Sequence, residues 1–256
     1  MNIINKMIEK IKGERIIETE KDDKKILTLT EGPDGISVKF NGITYSRRTE
    51  KGIFTGSYWD YFTPLPLLYD KSNILMIGLG GGTIVYQINR LYGRKINMDV
   101  VEIDEKMVKL AREFIPEDIK KINLFVEDGV EFLRKSKKKY ELVFLDAYDG
   151  DKIPDDFLDE RTISYINDVL TTDGVLAINY AMSFKAIVFF QNYISKLKKH
   201  FKVYLVNNPL GSGNTIILCS KKMDKPELLE KINKMKQEND NMHVIKGYNN
   251  LILHDI

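Results

Sequence analysis

Short apolar runs that do not alternate with polar residues constrain the fold of this chain more than any other feature. They lie at residues 74–77, 98–101, 142–145 and 175–178. Runs of this length are typical of strands buried on both faces of a sheet. The segments between them carry apolar residues at helical spacing, as at Ile84, Val85 and Ile88. Strands that alternate with helices predict an α/β fold with a doubly wound, mostly parallel sheet.

The last two strands are predicted to reverse direction. Residues 203–206 and 215–219 are joined by a loop too short for a crossover helix, so they should form an antiparallel hairpin. With a further strand at 123–126, the sheet has seven strands. This pattern favours the Rossmann-like sheet of class I adenosylmethionine-dependent methyltransferases over that of dinucleotide-binding dehydrogenases.

The chain before this sheet follows a different pattern. Residues 2–12 place apolar side chains at helical spacing, and residues 14–48 alternate with period two around an Asn41-Gly42 hairpin signal. We therefore divide the chain into three parts. They are an N-terminal helix and small antiparallel β-hairpin domain (1–56), a Rossmann-like nucleoside-binding transferase domain (57–222), and a C-terminal helix and tail (223–256).

Composition excludes several classes of function. A net charge of +2 gives no overall field for nucleic acid, and the basic run at 135–139 is typical of a solvated helix end. One cysteine and three scattered histidines make a metal site improbable on this pattern. The most apolar stretch, 175–190, is too short and too interrupted to cross a membrane. Without a secretory leader in the first residues, we expect a cytoplasmic protein.

A glycine-rich loop follows the first buried strand and opens the first helix. It reads Gly78-Leu79-Gly80-Gly81-Gly82-Thr83. Glycines at such a turn allow positive φ and let a ligand lie against the backbone, so we interpret Gly78, Gly80, Gly81 and Gly82 as cofactor-binding. A tight turn without a ligand is the alternative, and the motif does not choose between a nicotinamide and an adenosylmethionine ligand.

Acidic residues end the next two strands. Glu102 lies 20 residues after Gly82 (102 − 82), the separation expected of a carboxylate that accepts both ribose hydroxyls. Asp104 is better explained as a helix cap. Asp128, which precedes Gly129, could accept from the exocyclic amine of adenine or cap the next helix, and the sequence leaves both open.

The fourth strand runs directly into a cluster of acids. Asp146 lies at its carboxyl end, the position where doubly wound sheets bind ligands. Acids occupy 146, 149, 151, 155, 156, 159 and 160, against a single lysine at 152. Those from 155 onward suit a solvated loop and the N-terminus of a helix. The remaining acids of the cluster predict a negative electrostatic field that attracts a cationic partner.

These motifs, in this order, resemble the spermidine/spermine synthase (polyamine aminopropyltransferase) family, in its divergent synthase-like branch. Residues 40–46 are similar to that family's strand hairpin, and Tyr58-Trp59-Asp60 is similar to its substrate-contacting Tyr-x-Glu. The implied fold is the class I methyltransferase one, and the implied donor is decarboxylated S-adenosylmethionine or S-adenosylmethionine, without a metal. The implied cofactor residues are Glu102, Ile103, Asp128 and Gly129, the catalytic acid/base is Asp146, and the residues contacting a small cationic amine are Tyr58, Asp60, Tyr148 and Asp149.

Four positions depart from the family pattern. Gly81 replaces an aspartate of the glycine loop, Tyr45 replaces a glutamine, Gly150 replaces a proline and Lys24 replaces a glutamine. They keep two alternatives open, a methyltransferase acting on a cationic acceptor and a non-catalytic nucleoside- or polyamine-binding homologue. The first helix and the small β unit are candidate interface elements for a homodimer or homotetramer.

Overall fold

The computed structural model describes residues 13–21, 26–50, 52–150, 152–181, 184–206, 213–236, 241–250 and 252–253. The predicted helix over residues 2–12 lies outside the described residues, as do Lys24 and Asp151. Within the described part, a four-stranded and an eight-stranded sheet form the framework. None of the helices in these ranges is long and apolar enough to span a bilayer.

The N-terminal sheet is an antiparallel meander, as the alternating pattern predicts. Its strands are β1 (Arg15–Lys21), β2 (Ile26–Gly32), β3 (Gly35–Phe40) and β4 (Ile43–Arg48). The β3–β4 turn is Asn41-Gly42, and both residues have positive φ (47° and 86°), as a two-residue turn of type I′ requires. The hairpin prediction is therefore confirmed.

The larger sheet confirms the predicted seven strands and adds an eighth. Its strands are β5 (Ser72–Ile77), β6 (Ile96–Glu102), β7 (Asn123–Val126), β8 (Tyr140–Leu145), β9 (Leu170–Ala181), β10 (Lys202–Val206), β11 (Asn214–Ser220) and β12 (Ile252–Leu253). Their spatial order is β12-β10-β11-β9-β8-β5-β6-β7. The pairs among β5 to β9 are parallel, and β10 and β11 form the predicted antiparallel hairpin. Strand β12 comes from a tail that the sequence alone left uninterpreted.

Helices cover both faces of this sheet. They are α1 (Thr83–Tyr92), α2 (Glu105–Phe114), α3 (Gly129–Lys135), α4 (Glu160–Val169), α5 (Phe184–Lys198), α6 (Lys225–Ile232) and α7 (Met242–Asn249). Asp104 and Asp128 accept from backbone amides at the starts of α2 and α3, so the predicted caps are confirmed. Asp224 caps α6 in the same way.

One hydrophobic cluster joins the three predicted parts of the chain. It contains Leu27 of β2, Leu65 beside the larger sheet and Leu228 of α6. The boundaries at residues 56 and 222 stay a prediction. Two 3-10 helices, Tyr58–Phe62 and Leu65–Leu68, connect the two sheets.

The order of the strands fixes where a ligand can bind. From β5 the chain crosses to β6 on one side, and β8 later pairs with β5 on the other. The connections therefore diverge at the carboxyl ends of β5 and β8 and leave a crevice there. Gly78 and Asp146 follow directly after these two strands.

Candidate active site

A cavity of about 740 Å³ occupies this crevice. It gathers side chains from the ends of β5, β6, β7 and β8 and from the 3-10 helix before β5. The predicted site residues that line it are Tyr58, Gly78, Gly80, Glu102, Ile103, Asp128, Gly129, Asp146, Tyr148 and Asp149. The carboxylates of Glu102, Asp128 and Asp146 thus face one shared cavity.

Gly78 allows the ends of β5 and β8 to approach each other closely. Its φ is 88°, and a Cβ there would lie 2.7 Å from the carbonyl carbon of Asp146 and 2.9 Å from Cα of Ala147. Neither the conformation nor the space accommodates a side chain. The absence of a side chain therefore lets the backbone carrying Asp146 lie against the glycine loop.

Two of the predicted cofactor-binding glycines turn away from the cavity. A Cβ on Gly81 would lie 2.5 Å from Cγ2 of Val38, and the Gly81 amide donates to the Ser46 hydroxyl (2.7 Å). A Cβ on Gly82 would lie 2.5 Å from Cδ1 of Ile115. The assignment of Gly81 and Gly82 to a cofactor is corrected on this geometry, because both glycines make room for protein packing.

Glu102 lies at the floor of the cavity, where backbone amides hold its carboxylate. Leu79 N–H donates to Oε2 (2.8 Å) and Asp104 N–H donates to Oε1 (2.9 Å). Burial raises the pKa of Glu102, and these amide hydrogen bonds lower it in part. A carboxylate oxygen can accept more than one hydrogen bond, so the Glu102 side chain can still accept from the hydroxyl groups of a ligand.

The outer end of the cavity is more apolar. The Ile103 side chain is 67% exposed and lines it, together with Pro154 and Phe157. Gly129 allows Phe157 to come close, because a Cβ there would lie 3.0 Å from Cζ of the ring. Asp128 caps α3 and also lines the cavity, so its two candidate roles are compatible.

Asp146 has a strongly perturbed environment. Asn179 of β9 donates to its Oδ1 (2.8 Å), and Tyr58 lines the same cavity. Burial raises the pKa of Asp146 to about 7, the hydrogen bonds from Asn179 and Tyr58 lower it in part, and the charge of Glu102 raises it. A carboxyl group with this pKa can accept and release a proton near neutral pH.

Tyrosines form the wall next to Asp146. The Tyr148 hydroxyl donates to the Asn179 carbonyl (2.9 Å) and accepts from the Ala181 amide (2.8 Å), which fixes its ring against β9. The Tyr45 hydroxyl donates to the Gly150 carbonyl (2.6 Å) and so ties the N-terminal sheet to the loop after β8. Burial and the charge of Asp146 raise the pKa of Tyr58. The phenols therefore stay neutral donors.

The two predicted amine-contacting aspartates are placed differently. Asp149 is exposed at the mouth of the cavity, where its side chain can meet a cation. Asp60 is completely buried and does not line the cavity. Its carboxylate accepts from Thr55, Gly56, Gln87 and His243. The prediction that Asp60 contacts an amine is wrong on this geometry, because protein donors surround the group.

Two of the later acids of the cluster, Asp155 and Glu160, pair with lysines. Glu160 pairs with Lys199 (2.7 Å), whereas Asp156 lines the cavity. The acids of this cluster that line the cavity are Asp146, Asp149 and Asp156. Within the described ranges, no group of three or more His, Cys, Asp or Glu side chains is arranged to hold a metal ion.

Sequence reasoning missed Asn179 and Asn214 as site residues. Both line the cavity, and Asn214 donates to the side-chain oxygen of Asn179 (2.8 Å). The sequence contained a signal for Asn179, because this residue interrupts an apolar strand and a buried amide requires hydrogen-bond partners.

Comparison with known proteins shows the family to which this chain belongs. A family model described as spermine/spermidine synthase domain matches residues 57–231. The chain is 32% identical over 147 residues to the polyamine aminopropyltransferase of Clostridium beijerinckii, over 54% of this chain and 50% of that protein. It is 32% identical over 142 residues to a probable polyamine aminopropyl transferase of Bifidobacterium longum, over 55% of this chain and 31% of that protein. The chain thus spans half or less of the length of these two relatives.

Solved structures share the fold. The spermidine synthase of Thermotoga maritima superposes with a TM-score of 0.68 at 22% identity, over 91% of this chain and 84% of that chain. Human methyltransferase-like protein 13 in complex with SAH superposes with a TM-score of 0.56 at 21% identity, over 75% of this chain and 96% of that chain. These likenesses agree with the methyltransferase-like sheet that the sequence predicted.

Proposed function

Because this chain belongs to the spermine/spermidine synthase family, we propose that it is a polyamine aminopropyltransferase. In this proposal it moves an aminopropyl group from decarboxylated S-adenosylmethionine to a small cationic amine. The observation that carries the proposal is the single cavity where Gly78, Glu102 and Asp146 meet. The likeness to the polyamine aminopropyltransferase of Clostridium beijerinckii and the probable polyamine aminopropyl transferase of Bifidobacterium longum supports the same reaction class.

The residues of the cavity fit the nucleoside part of such a donor. Gly78 lets the backbone that carries Asp146 lie against the glycine loop, and Glu102 offers a carboxylate that can accept from ribose hydroxyls. Ile103 and Phe157 give a flat base apolar contacts, and Asp128 can accept from its exocyclic amine. The donor supplies a carbon atom bonded to positively charged sulfur, which the carboxylates of the cavity favour.

Asp146 has the pKa that the proposed proton transfer needs. A polyamine nitrogen has a pKa of about 10 in water, so it must lose a proton before it can act as a nucleophile. With a pKa of about 7, Asp146 accepts that proton near neutral pH. After Asp146 has accepted this proton, the neutral nitrogen attacks: as the new carbon–nitrogen bond forms, the carbon–sulfur bond breaks and its electron pair stays on sulfur.

The remaining residues orient the amine. Tyr58 and Tyr148 line the same cavity as Asp146, as neutral phenols that exclude water. Asp149 at the mouth can bind the distal ammonium group. Holding nitrogen, carbon and sulfur in line accounts for most of the expected rate enhancement.

A methyltransferase acting on a cationic acceptor is the second candidate, and Gly81 favours it. The aspartate that the synthases carry at this position has no counterpart here. The space of its Cβ is filled by Val38 and Ser46. A donor that keeps its carboxylate therefore meets no negative charge from the loop at this point.

One experiment separates these activities. The protein is incubated with S-adenosylmethionine or its decarboxylated form and a panel of diamines and polyamines, and the nucleoside product is identified by mass spectrometry. We expect methylthioadenosine, formed only from the decarboxylated donor. Adenosylhomocysteine would instead support the methyltransferase. Tight binding of methylthioadenosine without either product would support a non-catalytic binding protein.

A further inference from the structure

The buried carboxylate of Asp60 connects three separate parts of the chain. It lies in the 3-10 helix Tyr58–Phe62 and has no exposed surface. The donors come from the linker after β4, from α1 and from α7: Thr55 N–H (3.0 Å), Thr55 Oγ1 (2.9 Å), Gly56 N–H (2.7 Å), Gln87 Nε2 (2.5 Å) and His243 Nε2 (2.8 Å). Buried charges are retained when donors surround them in this way.

His243 is the contribution of the C-terminal helix α7. Its imidazole packs edge-on against Phe54 and Tyr61, with ring centroids 6.5 and 5.9 Å apart. An ionised carboxylate only accepts hydrogen bonds, so Nε2 of His243 carries the hydrogen in this contact. A second bond joins the same elements, because the Tyr248 hydroxyl donates to the Tyr61 carbonyl (2.5 Å). Helix α7 therefore holds the 3-10 helix at two points.

Tyr58 connects this arrangement to Asp146. It lies two residues before Asp60 on the same 3-10 helix and lines the same cavity as Asp146. Resting on the proposed function, we propose that His243 is a positioning residue: through Asp60 it fixes the 3-10 helix and so keeps Tyr58 in the cavity wall, where its hydroxyl can donate to Asp146. His243 lies beyond residues 57–231, the part that matches the family. This support is thus supplied by a segment outside the family domain.

The chemical consequence is an effect on proton transfer. The Tyr58 hydrogen bond lowers the pKa of Asp146 against the larger effect of burial. If the 3-10 helix loosens, that bond weakens and Asp146 stays protonated to a higher pH. The other groups that act on this carboxyl are Asn179 and Glu102, and Tyr45 and Tyr148 lie close enough to sense its charge. Among the described residues, Tyr61 is a titratable group that packs against His243 and senses the charge of Asp60.

A pair of amide substitutions tests the contact itself. The amide nitrogen of glutamine can occupy the place of the imidazole Nε2, whereas that of asparagine falls short of Asp60. His243→Asn should therefore show the effect and His243→Gln should keep the wild-type behaviour. Asp224→Ala, which removes only the cap of α6, is the stability control.

The first readout does not depend on activity. Trp59 is the single tryptophan of the chain, is buried, and lies between Tyr58 and Asp60. We expect greater acrylamide quenching of its fluorescence in His243→Asn than in wild type or His243→Gln, measured below the melting transition. Asp224→Ala should lower the Tm without changing the quenching. Quenching in His243→Asn that matches the Asp224→Ala control would overturn the proposal, even if the wild type transferred no aminopropyl group.

The second readout is the pH dependence of turnover. We expect His243→Asn to lower kcat roughly three- to thirtyfold and to move the acidic limb of the profile to higher pH. In a Tyr58→Phe background the same substitution should give no further movement, because the affected hydrogen bond is already gone. An unmoved limb in His243→Asn, or an equal movement in both backgrounds, would contradict a role through Tyr58. Absence of wild-type turnover would instead count against the proposed function alone.

Discussion

The side-chain amide of Asn179 donates a 2.8 Å hydrogen bond to Oδ1 of Asp146, and Asn214 fixes the orientation of that amide by donating to its oxygen at 2.8 Å. The two asparagines come from neighbouring antiparallel strands, β9 and β11. The nitrogen of Asn179 must therefore face the carboxylate. This contact favours the charged form of Asp146 and opposes the effect of burial.

Replacing Asn179 by leucine should raise the pKa of Asp146 further. A hydrogen bond to a charged group contributes about 1.5–3 kcal/mol, which corresponds to roughly one to two pH units. The acidic limb of the kcat profile should move upward by about this amount, as measured by initial rates between pH 5 and 9. A profile that coincides with that of the wild type would show that Asn179 does not act on the reacting carboxyl.

Replacing Asp146 by asparagine should remove the proton acceptor and leave the nucleoside contacts intact. We expect turnover to fall by about 100-fold or more. The affinity for methylthioadenosine, measured by calorimetry, should change little, because Glu102 and the glycine loop are untouched. Near wild-type turnover would refute the assignment of Asp146 as the acid/base.

The same substitution should change how stability depends on pH. Burial raises the pKa of Asp146 from 3.8 to about 7. Between these values the folded chain binds more protons than the unfolded chain, so this group makes the protein less stable as pH rises, and the loss is complete above pH 7. The free energy of unfolding of Asp146→Asn, relative to that of the wild type, should rise by up to about 4 kcal/mol between pH 4 and pH 8. Urea unfolding measures this difference. A difference that does not vary with pH would contradict the raised pKa.

Gly78→Ala should be far more damaging than a glycine substitution in an open turn. Its new Cβ would lie 2.7 Å from the carbonyl carbon of Asp146, whereas Gly42, also at positive φ (86°), has nothing within 4 Å. Gly42→Ala should lower the free energy of unfolding by only about 1–2 kcal/mol, because alanine disfavours this backbone conformation. Gly78→Ala should lower the free energy of unfolding by more than this and should also weaken methylthioadenosine binding. Equal losses in unfolding free energy would show that the close approach to Asp146 is unimportant.

Tyr45→Phe should affect amine binding more than the chemical step. The substitution removes the hydroxyl that donates to the Gly150 carbonyl (2.6 Å) and keeps the ring in the cavity wall. Since Gly150 follows Asp149, a freed loop should hold the distal ammonium group less well. We expect the KM for the amine to rise by roughly threefold to tenfold, the effect of about 1 kcal/mol, with kcat within about twofold. A fall in kcat at unchanged KM would assign Tyr45 to the chemical step instead.

Patterns along the chain predicted the parts of the site that follow from the topology. The carboxyl ends of parallel strands meet at one edge of the sheet, so acids at three strand ends had to come together. Glu102, Asp128 and Asp146 all line the cavity for this reason. The antiparallel hairpin of β10 and β11 was likewise predictable, because its loop is too short for any crossover.

Contacts between distant segments could not be predicted in this way. Asp60 was assigned to the substrate from a local motif, but Gln87 and His243, which are 27 and 183 residues away, enclose its carboxylate. Gly81 was assigned to a cofactor, but its missing side chain makes room for Val38 of the N-terminal sheet. In both cases the residue type signalled an unusual environment, and only the tertiary packing showed whether a ligand or the protein provides it.

The glycine loop has one more consequence for what can bind. Four amides of this loop already have an acceptor within the protein: the Val101 carbonyl for Gly78, the Glu102 carboxylate for Leu79, the Ser46 hydroxyl for Gly81 and the Leu79 carbonyl for Gly82. Loops of this kind hold pyrophosphate when their amides are open to it. Here a phosphate group would find no free donor among these amides and would face the carboxylates of Glu102 and Asp146. The pocket thereby discriminates against dinucleotides and nucleoside triphosphates before any contact with the base is made.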